Sequence, residues 1–131
     1  ASIHGNTLNA AKYLAEKLGA RAELIDLTRT EYSYALASAF KNGSLVLFSS
    51  TYNLEMFSPM ADFIERLQNK NYQKRKVAVV ENGSWAPMAG KKILERLATF
   101  KELEIVGELI TIHSRAKDDT FAKLDTLAQQ I

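Results

Sequence analysis

The chain has 131 residues, 47% of them hydrophobic and 24% charged, which suits one globular domain with room for a core. It contains no cysteine, so disulfides and thiolate metal sites are excluded, and no apolar run is long enough to cross a bilayer as a helix. A net charge of +2 is too small to argue for nucleic acid, and the one tight basic cluster, Lys74-Arg75-Lys76, reads as a solvated turn. No signal peptide is visible, and the expected location is the cytoplasm, away from membranes.

Taken in chain order, helix and strand signals alternate. The stretch Ser2-Ile3-His4-Gly5-Asn6-Thr7 runs directly into a helical stripe of Leu8, Ala11, Ala15 and Leu18, closed by Gly19. Ala22, Leu24, Ile25 and Leu27 predict a short strand of mixed polarity at a sheet edge. Tyr32, Ala35, Leu36, Ala39 and Phe40 repeat with helical spacing until Asn42-Gly43 breaks the pattern. Leu45–Phe48 is a continuous apolar run, the mark of a parallel strand buried on both faces. A polar loop, Ser49–Asn53, follows it, and Ser58-Pro59 then reads as N-cap and first helical residue of a helix carrying Met60, Phe63, Ile64 and Leu67.

Val77–Val80 predicts a second buried strand, followed by the polar loop Glu81–Trp85. Ile93, Leu94, Leu97 and Ala98 mark the next helix. Ile105–Ile112 predicts a last strand interrupted at Gly107. Asp118 or Asp119 is a candidate cap for a final helix with Phe121, Leu124, Leu127 and Ala128 inward. No repeat, low-complexity tract or linker divides the chain. Repeated strand–loop–helix units predict an α/β fold, a parallel sheet with helices on both faces.

In such sheets ligands bind beyond the carboxyl ends of the strands, where Ser2–Thr7, Ser49–Asn53 and Glu81–Trp85 would converge. The first has the form [Ser/Thr]-x-x-Gly-Asn-Thr, which lets backbone N–H groups and the helix dipole converge on an anion. It lacks lysine, so it is not a Walker-type loop, and a monophosphate fits better than a triphosphate. Ser50, Thr51, Tyr52 and Asn53, with Asn82, Gly83, Ser84 and Trp85, offer hydroxyls, amides and two large aromatics that could clamp a flat ring. Phosphate, ring and polar edge together describe flavin mononucleotide (FMN). No side chain need act as acid, base or nucleophile.

The arrangement resembles flavodoxins and, more closely, the flavodoxin-like C-terminal domain of A-type flavoproteins, the flavodiiron proteins. Ser50-Thr51-Tyr52-Asn53-Leu54-Glu55-Met56-Phe57-Ser58-Pro59 is similar to that family's Pro-Thr-Tyr-Asn-x-x-Met-Phe-x-Pro segment, with Ser50 in place of proline. Ser2–Thr7 resembles its phosphate loop, and Asn82-Gly83-Ser84-Trp85 stands where it often has Ser-Tyr-Gly-Trp, with Ala86-Pro87 replacing a Gly pair.

The resemblance implies a doubly wound sheet of strand order 2-1-3-4-5 and one FMN-binding domain over residues 1–131, part of a longer chain. It implies electron transfer to a di-iron site that reduces dioxygen or nitric oxide, carried on a β-lactamase-like domain of the same or a facing subunit. Rubredoxin or an NADH-linked reductase would be the donor, and the full-length protein a homodimer. The di-iron chemistry cannot reside here, because the chain has only His4 and His113 and no His-x-Glu-x-Asp-His run.

Three alternatives remain open: a stand-alone FMN-dependent quinone or small-molecule reductase, a simple flavodoxin-type carrier, and a binding module that has lost its flavin. A phospho-receiver domain is rejected, because Ser2–Thr7 and Ser49–Asn53 contain no Asp or Glu. The family's first strand would directly precede the phosphate loop, which leaves Ala22–Leu27 without its neighbour. An apolar, β-branched strand of about five or six residues is therefore expected upstream of Ala1.

Overall fold

The two apolar runs form the middle of the sheet. The computed structural model describes residues 1–3, 5–52, 55–83 and 87–131. Strands β1 (Ser44–Tyr52) and β2 (Glu55–Met56) precede β3 (Lys76–Asn82), which is followed by β4 (Glu104–Ile105) and β5 (Ile110–Ile112). β1 and β3 pair in parallel from Ser44↔Lys76 to Ser50↔Asn82. β4 and β5 both pair parallel to β3 on its other side. They are the single expected strand, interrupted around Gly107, whose φ of +69° excludes ladder geometry and is strained for any side chain.

Alternation along the strands splits the apolar residues between two layers of helix. Leu47, Val77 and Val79 pack on one face with α2 (Tyr32–Lys41), α3 (Ser58–Asn69) and α4 (Ala89–Leu97), through residues such as Ala39, Ile64 and Ile93. Ala78 and Val80 pack on the other with Ala10 and Leu14 of α1 (Asn6–Leu18) and Leu124 and Leu127 of α5 (Asp118–Gln130). Burial of each such large side chain contributes roughly 1.5–3 kcal/mol. Helices thus cover both faces, as the β-loop-α pattern requires.

Several boundaries differ from the sequence reading. β1 continues through Tyr52, into what reads as a polar loop, because Thr51↔Met56 and Tyr52↔Glu55 pair in a short antiparallel ribbon with β2. Helix α3 already includes Ser58, so Phe57 is its cap position and Pro59 lies within its first turn, where no N–H is needed. Lys117, rather than Asp118 or Asp119, holds the cap position of α5; both aspartates fall in the first turn, favourable for the helix dipole.

The largest departure is Ala22–Leu27. It follows a 3-10 turn at Gly19–Arg21 and forms no strand. A strand needs a neighbour to satisfy its backbone, and this segment reaches none. Leu27 and Ile25 nonetheless pack against the core, and a turn closed by Arg29 N–H to Asp26 O ends the segment.

Ala1 makes the one contact in this region that is ladder-like. Its nitrogen donates to Phe48 O at 2.6 Å and its carbonyl accepts from Ser50 N–H at 2.9 Å.

Candidate functional site

The parallel register brings the carboxyl ends of β1 and β3 level, since Ser50 stands opposite Asn82. The loop entering α1 lies against the first of these ends. Ser50 Oγ accepts Ile3 N–H at 3.2 Å and shares a hydrogen bond with Thr7 Oγ1 at 3.0 Å, and Ser2 Oγ accepts Gly5 N–H at 3.0 Å. On the other side of β1, Thr51 faces the loop that follows β3: a Cβ placed on Gly83 would stand 3.3 Å from Thr51 Oγ1 and 3.0 Å from Pro87. The described residues of the three predicted segments therefore lie along one sheet edge.

Several helices begin at this edge, and the protein treats the starts of α1 and α4 differently. The start of α4 is consumed internally. Thr51 Oγ1 accepts the N–H groups of Met88 and Ala89, both at 3.1 Å. Glu81, buried at the end of β3, accepts Gly90 N–H at 2.8 Å and the Thr111 hydroxyl at 2.6 Å. Gly90 is required for that approach, because a Cβ there would lie 3.0 Å from the Glu81 carboxyl carbon and 2.5 Å from Leu109.

The start of α1 is left open. Its cap position is Gly5, at φ +86°, and among the described residues no side chain caps the helix. A helix N-terminus leaves N–H groups without an intrahelical partner, and here they point past a residue with no side chain. Such a terminus attracts anions through its dipole and its donors.

The predicted residues divide by role. Gly5 and Asn6 are half-buried at the open terminus, with Ser2 beside them and Ile3 exposed. Thr7 and Ser50 are buried and spend their hydroxyls on each other, so they hold the loop on β1. Thr51 is committed to α4. Asn82 is buried with both ends of its amide engaged, donating to Ser114 O at 2.9 Å and accepting Ser114 N–H at 3.0 Å. Tyr52 is 58% exposed at the edge, an unusual position for so large a ring unless something covers it. His4, Asn53, Ser84 and Trp85 lie outside the described residues.

Glu81 is the residue whose role sequence reasoning missed. Its signal was present: an acidic residue directly after four apolar ones, at a place where a buried carboxylate must find donors. Among the described residues no three His, Cys, Asp or Glu side chains are grouped to hold a metal, and no helix is long and apolar enough to cross a membrane.

No family model and no curated protein matches the chain. Solved structures do. Rubredoxin oxygen:oxidoreductase from Desulfovibrio gigas superposes with a TM-score of 0.89 at 17% identity, over 98% of this chain and 33% of that one. An archaeal flavodoxin gives 0.83 at 19% identity, over 98% of this chain and 89% of that one. The flavodiiron protein from Giardia intestinalis gives 0.87 at 15% identity, over 98% and 33%. The fold is flavodoxin-like. The chain spans about a third of the length of the oxygen oxidoreductase and of the Giardia protein.

Thr51 offers a direct check on how this edge is built. Thr51→Val should strand two N–H groups at the start of α4 and destabilise the protein by about 1–3 kcal/mol. Thr51→Ser should retain most of the stability. Urea denaturation of the two variants separates loss of the hydroxyl from loss of the methyl.

Proposed function

We propose that this chain is an FMN-binding electron-transfer domain. The observation that carries the reading is the contrast between the two helix starts: α4 is capped by Thr51 and Glu81, while α1 is open behind Gly5. The residues present fit a flavin monophosphate. The N–H groups of the first turn of α1 would hold the phosphate, and Ser2, Ser50 and Thr7 would keep the loop in shape for it. Tyr52, exposed beside Ser50, and Trp85, on the loop after β3, would cover the ring. FMN would supply one- and two-electron redox chemistry; the protein's part is to orient the ring, keep water from one or both faces, and set the surrounding charge.

The finer reading is that the acceptor is a di-iron site on a β-lactamase-like domain of the same or a facing subunit of a homodimer. Rubredoxin or an NADH-linked reductase would be the donor. The segment Thr51–Pro59 supports it through its resemblance to the flavodiiron motif. A stand-alone flavodoxin-type carrier is the second reading, favoured by the near-complete overlap with the archaeal flavodoxin.

Asn6→Asp distinguishes an anion site from an ordinary helix start. A carboxylate in the first turn should stabilise α1 by about 0.3–1 kcal/mol. The same charge should repel the phosphate and weaken FMN binding by about 1.5–3 kcal/mol, the worth of a charge-assisted hydrogen bond, with riboflavin binding unchanged. Equal FMN affinity in both proteins, by fluorescence titration, would place the phosphate elsewhere. In the same titration, Trp85→Leu should lower affinity and raise bound-flavin fluorescence, since stacked tryptophan quenches flavin emission.

A further inference from the structure

The chain leaves β3 at Gly83, and that exit is held from both sides. Toward β1 the packing is close: a Cβ added to Gly83 would meet Pro87 at 3.0 Å and Thr51 Oγ1 at 3.3 Å. Toward β5, Gly83 N–H donates to Ile112 O at 3.0 Å, the rung beyond the Asn82↔Ile112 pair.

Past that rung the side chain of Asn82 continues the pairing. Its Oδ1 accepts Ser114 N–H at 3.0 Å and its Nδ2 donates to Ser114 O at 2.9 Å. One amide thereby matches both backbone groups of one residue, as a facing strand residue would. Asn82 is buried, so an unpaired amide there would be costly and the two bonds are mutually required.

Ser114 is bent to meet this amide. Its φ is +69°, and Arg115 N–H donates to His113 O at 2.9 Å across it. A three-residue turn of this hand is rare and strained for a residue that carries a Cβ. Ser114 is exposed, so burial of its own side chain does not hold the turn. Strain of this kind persists only where the surroundings over-determine it. Here the two bonds from Asn82 do so, at the carboxyl edge where the candidate site lies.

We propose that Asn82 and Ser114 are positioning residues for the flavin ring: the buried amide locks the strained turn after β5 onto the exit of β3 and so fixes Gly83 for the ring's polar edge. The proposal rests on the FMN reading. It replaces the direct flavin contact expected of Asn82 from the sequence, because both ends of that amide are turned to β5. The clamp concerns the ring and leaves the phosphate alone. The loop entering α1 is held on β1 through Ser50 and Thr7, and β3 separates β1 from β5.

The test compares the parent with Asn82→Ala, Ser114→Val and Ser114→Gly, each shown to be folded by circular dichroism. FMN and riboflavin are titrated by fluorescence, with urea unfolding in parallel. Valine cannot adopt the turn and glycine adopts it freely, while neither disturbs a buried side chain. Asn82→Ala and Ser114→Val should each weaken both flavins by about tenfold or more, with the ratio of FMN to riboflavin affinity unchanged. Ser114→Gly should bind both within about twofold of the parent. If Asn82→Ala does not fold, the Ser114 pair gives the same ranking. Lower urea stability with unchanged flavin affinity in Ser114→Val would make the clamp purely structural and overturn the proposal. A loss confined to FMN would overturn it too, by moving the effect to the phosphate. A parent that binds neither flavin is a different result: it overturns the FMN reading, and this role with it.

Discussion

The parallel ladder between β1 and β3 is the constraint on which the other features rest. Its register, unbroken from Ser44↔Lys76 to Ser50↔Asn82, fixes the two strand ends at one height. Its pleat assigns Leu47, Val77 and Val79 to one helix layer and Ala78 and Val80 to the other. A slip of one residue would exchange those sets and send polar Ser49 and Glu81 into the wrong layer. Position along the ladder therefore decides both the core and the edge where loops meet.

At that edge the protein spends its polar groups unevenly. Half-buried Thr51 and buried Glu81 satisfy the first N–H groups of α4 and tie it to the ends of β1, β3 and β5. Asn82 does similar work on Ser114. Ser50 and Thr7 anchor the loop before α1 without capping the helix. The result is an internally satisfied start to α4 beside a start to α1 that has no side-chain cap among the described residues, where a permanent cap would compete with an anion. Tyr52, exposed a few residues from that terminus, places an aromatic surface within the same edge.

On the flank of β1 away from β3, a slot is walled by Leu45–Phe48 and by Ala22–Leu27, whose Glu23 and Asp26 set carboxylates among the apolar side chains.

The linear order of residues determined the fold class, because continuous apolar runs such as Leu45–Phe48 and Val77–Val80, separated by helical stripes, admit few arrangements other than a parallel sheet between helix layers. It also determined which three segments lie at the carboxyl edge, since in such a sheet that edge follows from strand direction alone. It did not determine how far strands extend: β1 gains Thr51 and Tyr52 through pairing with β2, a contact that propensity does not encode. Nor did it distinguish ligand-facing polar residues from structural ones. Ser50, Thr51, Asn82 and Gly5 look alike as small polar or flexible loop residues, and only their placement commits the first three to partners inside the fold while leaving the helix behind Gly5 open. Ala22–Leu27 gives the same lesson in reverse. Its pattern suits a strand, but a strand is a relation between two segments, so only the tertiary structure could decide that this one stands unpaired.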